Sequence, residues 1–123
     1  MLFRSLRLAI SGRNIRLFGE GEELRDHVSI KYVAQLAASM LVSAIPRTIN
    51  AASGKLYSFK EIAQIICQFH KDTDIDYVPR NGPVPHMGYR RISISRAQNL
   101  FERISVPNLQ TDLEQMIIDI KEG

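Results

Sequence analysis

Ile15-Arg16-Leu17-Phe18-Gly19-Glu20-Gly21-Glu22-Glu23 runs into Leu24-Arg25-Asp26-His27-Val28-Ser29. Three apolar residues with one polar residue among them, over 15–18, read as a short strand. Two glycines among three acids then make a turn, because glycine takes up turn conformations closed to other residues. Leu24 to Ser29 reads as a second extended piece carrying Arg25, Asp26 and His27. Guanidinium donors match phosphate oxygens in bidentate geometry, so Arg25 is a candidate phosphate ligand. The competing role for Arg25 is an ion pair with Asp26, or with Glu22 and Glu23.

On the N-terminal side, Leu2, Phe3, Leu6, Ala9 and Ile10 recur at helical spacing, and Gly12 follows as a C-cap. This predicts a helix over 1–11. On the other side, Ile30, Val33, Ala37, Met40, Leu41 and Ala44 predict a helix over 30–44 with those residues on its apolar face, stopped by Pro46. Thr48 to Ala51 reads as a short strand and Ser53-Gly54-Lys55 as a turn. Ser58-Phe59-Lys60-Glu61 fits a capping box, and Ile62, Ile65, Ile66 and Phe69 form one face of the helix it starts. Ile75 to Val78 alternates as a strand. Residues 79–90 are too rich in Pro and Gly for an interior element and predict a long loop, which carries the second candidate phosphate ligand, Arg80. Ile92 to Ser95 leads into a helix through Phe101. A last helix over 110–121 turns Leu113, Met116, Ile117 and Ile120 to one side, with Asn108 or Thr111 as its cap. Short strands alternating with amphipathic helices give an α/β class, and 1–123 is expected to be a single domain.

Composition narrows the function. The chain has 123 residues, 45% hydrophobic, with a net charge of +3 spread along its length. No basic run or aromatic stacking motif supports nucleic-acid binding. Cys67 is the one cysteine, so no internal disulfide forms; it falls in an apolar helical pattern and is expected to be a buried, inert thiol in a cytoplasmic protein. No apolar stretch approaches the roughly 20 residues of a membrane span, and no signal peptide is evident. His27, His70 and His86 lack metal-ligand spacing, so no metal is expected. His70, at a helix C-terminus, is expected to cap or to lie at the surface. There is no Gly-x-Gly-x-x-Gly fingerprint and no Gly-x-Ser-x-Gly elbow, and no catalytic set appears.

Taken in order, the motifs resemble the C-terminal portion of the extended short-chain dehydrogenase/reductases, the NAD-dependent sugar-nucleotide epimerase/dehydratase family. Residues 15–28 are similar to its "plyGdG…RDfvyv" stretch. Ile49-Asn50-Ala51-Ala52-Ser53-Gly54 resembles "yNiasG", and Ser58-Phe59-Lys60-Glu61-Ile62-Ala63 resembles "slkEla". Arg80-Asn81-Gly82-Pro83-Val84 resembles "RpGdv", and Ile92-Ser93-Ile94-Ser95-Arg96-Ala97 resembles "adiskA". Leu109 and Leu113 fall where the family has its final "sLeeGL" helix. The resemblance implies a small α/β substrate-binding portion without the Rossmann portion, which in the family binds NAD(P) and carries a Tyr-x-x-x-Lys pair. It further implies that Arg25 and Arg80 contact the diphosphate of a nucleoside-diphosphate sugar, while Asn50 supports a turn.

This chain departs from the family where Lys31 and Tyr32 replace helix-capping acids, so the helix start there is expected to be weaker. Pro83 stands where the family has an acid, and Leu100-Phe101-Glu102-Arg103 blurs an "LGw.P" motif. Tyr32, Tyr57, Tyr77 and Tyr89 are followed four places on by Leu36, Glu61, Asn81 and Ser93, never by Lys. Hydride transfer needs a bound nicotinamide and a placed acid/base. The resemblance therefore implies a chain that binds substrate, has no catalytic residues, holds no cofactor and is inactive alone. The alternative is a non-catalytic module that self-associates or pairs with a separate Rossmann chain.

Overall fold

A computed structural model describes residues 2–44, 47–106 and 108–122. Helix α1 (Leu2–Ile10) is followed by β1 (Ile15–Phe18), β2 (Leu24–Arg25), α2 (Ile30–Ser43), β3 (Tyr57–Ser58), α3 (Phe59–Phe69) and β4 (Ile75–Val78). A 3-10 turn (Pro85–Gly88), β5 (Tyr89–Arg90), α4 (Ser95–Leu100) and α5 (Leu109–Glu122) complete the order. The α/β class read from the sequence is the one observed.

Two small sheets organise the chain. β1 and β4 pair in parallel from Ile15 against Ile75 to Phe18 against Val78. β2 is the centre of the other sheet, antiparallel to β3 and parallel to β5. Along β1, Ile15 and Leu17 point inward while Arg16 and Phe18 face out. The inward pair meets Leu6 and Ala9 of α1, Ile62, Ala63 and Ile66 of α3, and Leu109, Leu113 and Ile117 of α5. A smaller cluster gathers Tyr32, Leu36 and Ala97, with Phe101 and Ile104 packed against it.

Local signals explain most element ends. Gly12, at φ +67°, closes α1: its N–H donates to Ala9 O and that of Arg13 to Leu8 O, a Schellman motif. The capping box forms as expected. Ser58 Oγ accepts from Glu61 N–H at 3.0 Å, and Glu61 Oε2 accepts from Ser58 N–H at 2.6 Å. Of the two cap candidates for α5, Asn108 serves, accepting from the Gln110 and Thr111 amides. Ser29 caps α2, its Oγ accepting from Tyr32 N–H at 3.4 Å.

Four expectations are corrected. Thr48 to Ala51 is not a strand: no ladder partner lies beside it among the described residues, and Asn50 Nδ2 instead donates to Ser93 O. The 79–90 loop contains the 3-10 turn and β5, because β2 offers an edge to pair with. The apolar face of α2 is misassigned. Tyr32 and Leu36 are buried, whereas Ile30 and Leu41 are exposed, as is Val42. Periodicity fits two faces on so apolar a helix, and only packing chooses between them. Cys67 is half-buried rather than buried, and burial raises its thiol pKa. The stop at Pro46, and the side chains of Leu2 and Phe3, lie outside the described residues. No described helix is long and apolar enough to cross a membrane.

Candidate functional site

The parallel pairing of β1 with β4 sets their C-terminal ends side by side, the place where open α/β sheets present ligand-binding loops. Gly19 N–H donates to Val78 O at 2.9 Å, locking the turn after β1 to the end of β4. The same turn is tied to α3: Lys60 N–H donates to Gly21 O and Phe59 N–H to Glu23 O. These two first-turn amides have no partner within their own helix, so the turn supplies acceptors they need.

Both candidate arginines come to this turn and meet on one carboxylate. Arg25 Nη2 lies 2.8 Å from Glu23 Oε2, and Arg80 Nη1 pairs with Glu23 Oε1. Glu23 is buried. Arg25 also donates through Nη1 to Leu24 O at 2.8 Å, and its guanidinium lies 5.9 Å from the centre of the Phe59 ring. Arg80 Nη2 donates to Phe18 O at 3.1 Å, while Nε is buried without a hydrogen-bond partner. Glu22 Oε1 stands 3.8 Å from that nitrogen, beyond hydrogen-bond reach.

Asp26 takes no part in the ion pairs. Its two oxygens accept from Ser53 N–H and Gly54 N–H, each at 2.7 Å, fixing the 53–55 turn against β2. An open groove of about 730 Å³ begins at that turn and is also lined by Lys55, Arg91, Ser93 and Gln98. Asn50, read as turn-supporting, bonds the 93 backbone beside it.

Sequence reasoning singled out Arg25 and Arg80 without bringing them together, and the parallel register does so. It weighed Glu23 only as a partner of Arg25. The available signal was spacing: residues two apart in extended chain point the same way, which aligns Glu23 with Arg25. Nothing in the sequence linked Glu23 to Arg80, since that contact depends on β1 and β4 pairing.

The site does not fit a dinucleotide. A pyrophosphate cradle needs free amides leading into a helix N-terminus. Here the turn leads into β2, Gly19 N–H is bonded to Val78 O and Gly21 N–H to Phe18 O, and a buried carboxylate follows. No group of three or more His, Cys, Asp or Glu among the described residues is placed to hold a metal ion.

Two histidines carry a pH consequence. Burial lowers the His27 pKa, with Asp26 opposing and Arg25 assisting; its Nε2 is buried without a partner and its ring meets Phe59 edge-on. Burial, with the Lys121 charge, also lowers His70, the residue that ends α3. The unfolded chain therefore binds more protons than the fold. Stability is full above the ordinary imidazole pKa of about 6.5 and declines as pH falls toward the lowered folded values. Urea midpoints should drop between about pH 7.5 and pH 5, and His27→Phe with His70→Gln should remove much of that drop. An equal drop in the double variant would show that other groups are responsible.

No protein-family model matches the sequence. Solved structures do. An epimerase from Methanothermobacter thermautotrophicus superposes with a TM-score of 0.85 at 22% identity, covering 98% of this chain and 37% of that one. A dTDP-glucose 4,6-dehydratase from Bacillus anthracis, in complex with NAD, gives 0.82 at 16%, covering 99% and 39%. A UDP-glucose 4-epimerase from Thermotoga maritima, with UDP-glucose, gives 0.78 at 14%, covering 98% and 39%. The chain thus spans less than half the length of the proteins it matches, and its fold is that of their C-terminal part.

Proposed function

We propose that this chain is the nucleoside-diphosphate-sugar-binding portion of an NAD-dependent epimerase or dehydratase, with Arg25 and Arg80 as its diphosphate contacts. The observation that carries this reading is the convergence of the two guanidinium groups at the ends of paired parallel strands. Arg25 on β2 and Arg80 on the loop after β4, held on one carboxylate, offer the donor set that a bridging phosphate uses. The fold likeness supports the same reading, since two of the matched proteins are named as a dTDP-glucose 4,6-dehydratase and a UDP-glucose 4-epimerase. On this reading NAD and the acid/base pair belong to a Rossmann portion, and this chain positions the substrate.

Calorimetric titration of UDP, dTDP and GDP tests the proposal. At least one should bind. Arg25→Ala and Arg80→Ala should each weaken it by about 10- to 100-fold, the range for one charge-assisted hydrogen-bonding group. Unchanged affinity in both variants would sink the diphosphate assignment.

A second reading, an associating module, is favoured by the exposed Ile30, Leu41 and Val42 on α2. Sedimentation distinguishes it, because a clean monomer at high concentration counts against it.

A further inference from the structure

Glu23 is an unusual residue to bury. An ionised carboxylate is rarely so enclosed unless it is paired, and this one spends each oxygen on a different arginine. It therefore occupies the position that a bridging anion would take if both guanidinium groups bound a ligand. The turn adds a second acid, because half-exposed Glu22 leans toward Arg80. Two cations facing two acids leave little net positive charge to attract a diphosphate. Arg80 nonetheless retains an unused buried donor at Nε. Room beside it depends on Gly19, where a Cβ would come within 3.4 Å of Nε and 3.1 Å of Glu22 Oε2. The arginine pair is thus neutralised from within while one donor still lacks an acceptor.

We propose that Glu23 is an internal stand-in for the ligand's phosphate: it holds Arg25 and Arg80 in place when the site is empty and is displaced when a nucleoside diphosphate binds. This rests on the diphosphate reading above and adds a residue that sets the strength of binding. Displacement breaks two ion pairs and exposes a carboxylate to phosphate charge, so Glu23 weakens binding while pre-positioning the donors. Glutamine at this position keeps the shape and an acceptor oxygen but removes the competing charge.

The test is UDP titration of the wild-type chain, Glu23→Gln, Arg25→Ala and the Glu23→Gln/Arg25→Ala double variant, each checked for folding by far-UV circular dichroism. Glu23→Gln should bind UDP at least about tenfold more tightly than wild type, and the double variant should lose that gain, as coupled neighbours do. A folded Glu23→Gln that binds no better than wild type overturns the stand-in role, even while Arg25→Ala confirms the diphosphate site. If none of UDP, dTDP and GDP binds either wild type or Glu23→Gln, the diphosphate reading itself is overturned, and this inference with it. If Glu23→Gln does not fold, the Glu23 side-chain carboxyl carbon is followed by NMR in wild type as UDP is added. A shift that saturates with ligand supports displacement, and a resonance that never moves overturns it.

Discussion

Gly21→Ala is expected to remove about 2–5 kcal/mol of folding stability, combining left-handed backbone strain of about 1–2 kcal/mol with a steric overlap of about 1–3 kcal/mol. Gly21 sits at φ +68°, and a Cβ there would lie 2.7 Å from Leu17 Cδ1 and 3.0 Å from the backbone nitrogen of Lys60. Neither neighbour can yield easily. Leu17 is 1% exposed in the core, and Lys60 N–H is bonded to Gly21 O. The control is Gly12→Ala, at φ +67° with nothing within 4 Å of its Cβ, which should suffer only the backbone strain. Urea melts of the two variants separate the terms. Equal losses would show that the Gly21 contact is relieved by small shifts.

The second large effect belongs to Asp26. Asp26→Ala should cost about 3 kcal/mol or more, because two backbone donors each lose a charge-assisted bond worth about 1.5–3 kcal/mol in such settings. Ser53 is 4% exposed, so water does not readily replace its lost partner. Asp26→Asn keeps one acceptor oxygen and should lose roughly half as much. Amide hydrogen exchange at Ser53 and Gly54 checks the cause: both should quicken sharply in Asp26→Ala. Unchanged exchange would mean that the turn is held by other contacts.

Both residues lie in the 15–28 stretch, where the sequence was most legible. A short apolar run identified β1, glycines and acids identified the turn, and the Ser58–Glu61 spacing identified the start of α3. These are local signals, each written within a few residues. Elements that depend on a distant partner were not legible. Thr48 to Ala51 has strand-like composition but no ladder partner among the described residues, whereas Tyr89–Arg90 follows a Pro/Gly loop yet pairs because β2 lies beside it. The buried face of α2 failed for the same reason: Tyr32 and Leu36 turn inward because Ala97 and Phe101 lie there. The site divides similarly. Arginine chemistry nominated Arg25 and Arg80, but only the fold could show that both rest on Glu23.

The parallel pairing of Ile15 with Ile75 has a further consequence, for the order in which the protein assembles. The chain between them includes α2 and α3, so closing this contact costs loop entropy that local helices and turns do not. The capping box and the turn that ends α1 can form early from neighbours in sequence. Glu23 and Arg80 meet only after β1 and β4 have found each other. The Arg25–Glu23–Arg80 cluster is therefore a late product of folding, and any opening that separates β4 from β1 dismantles it before the helices are lost.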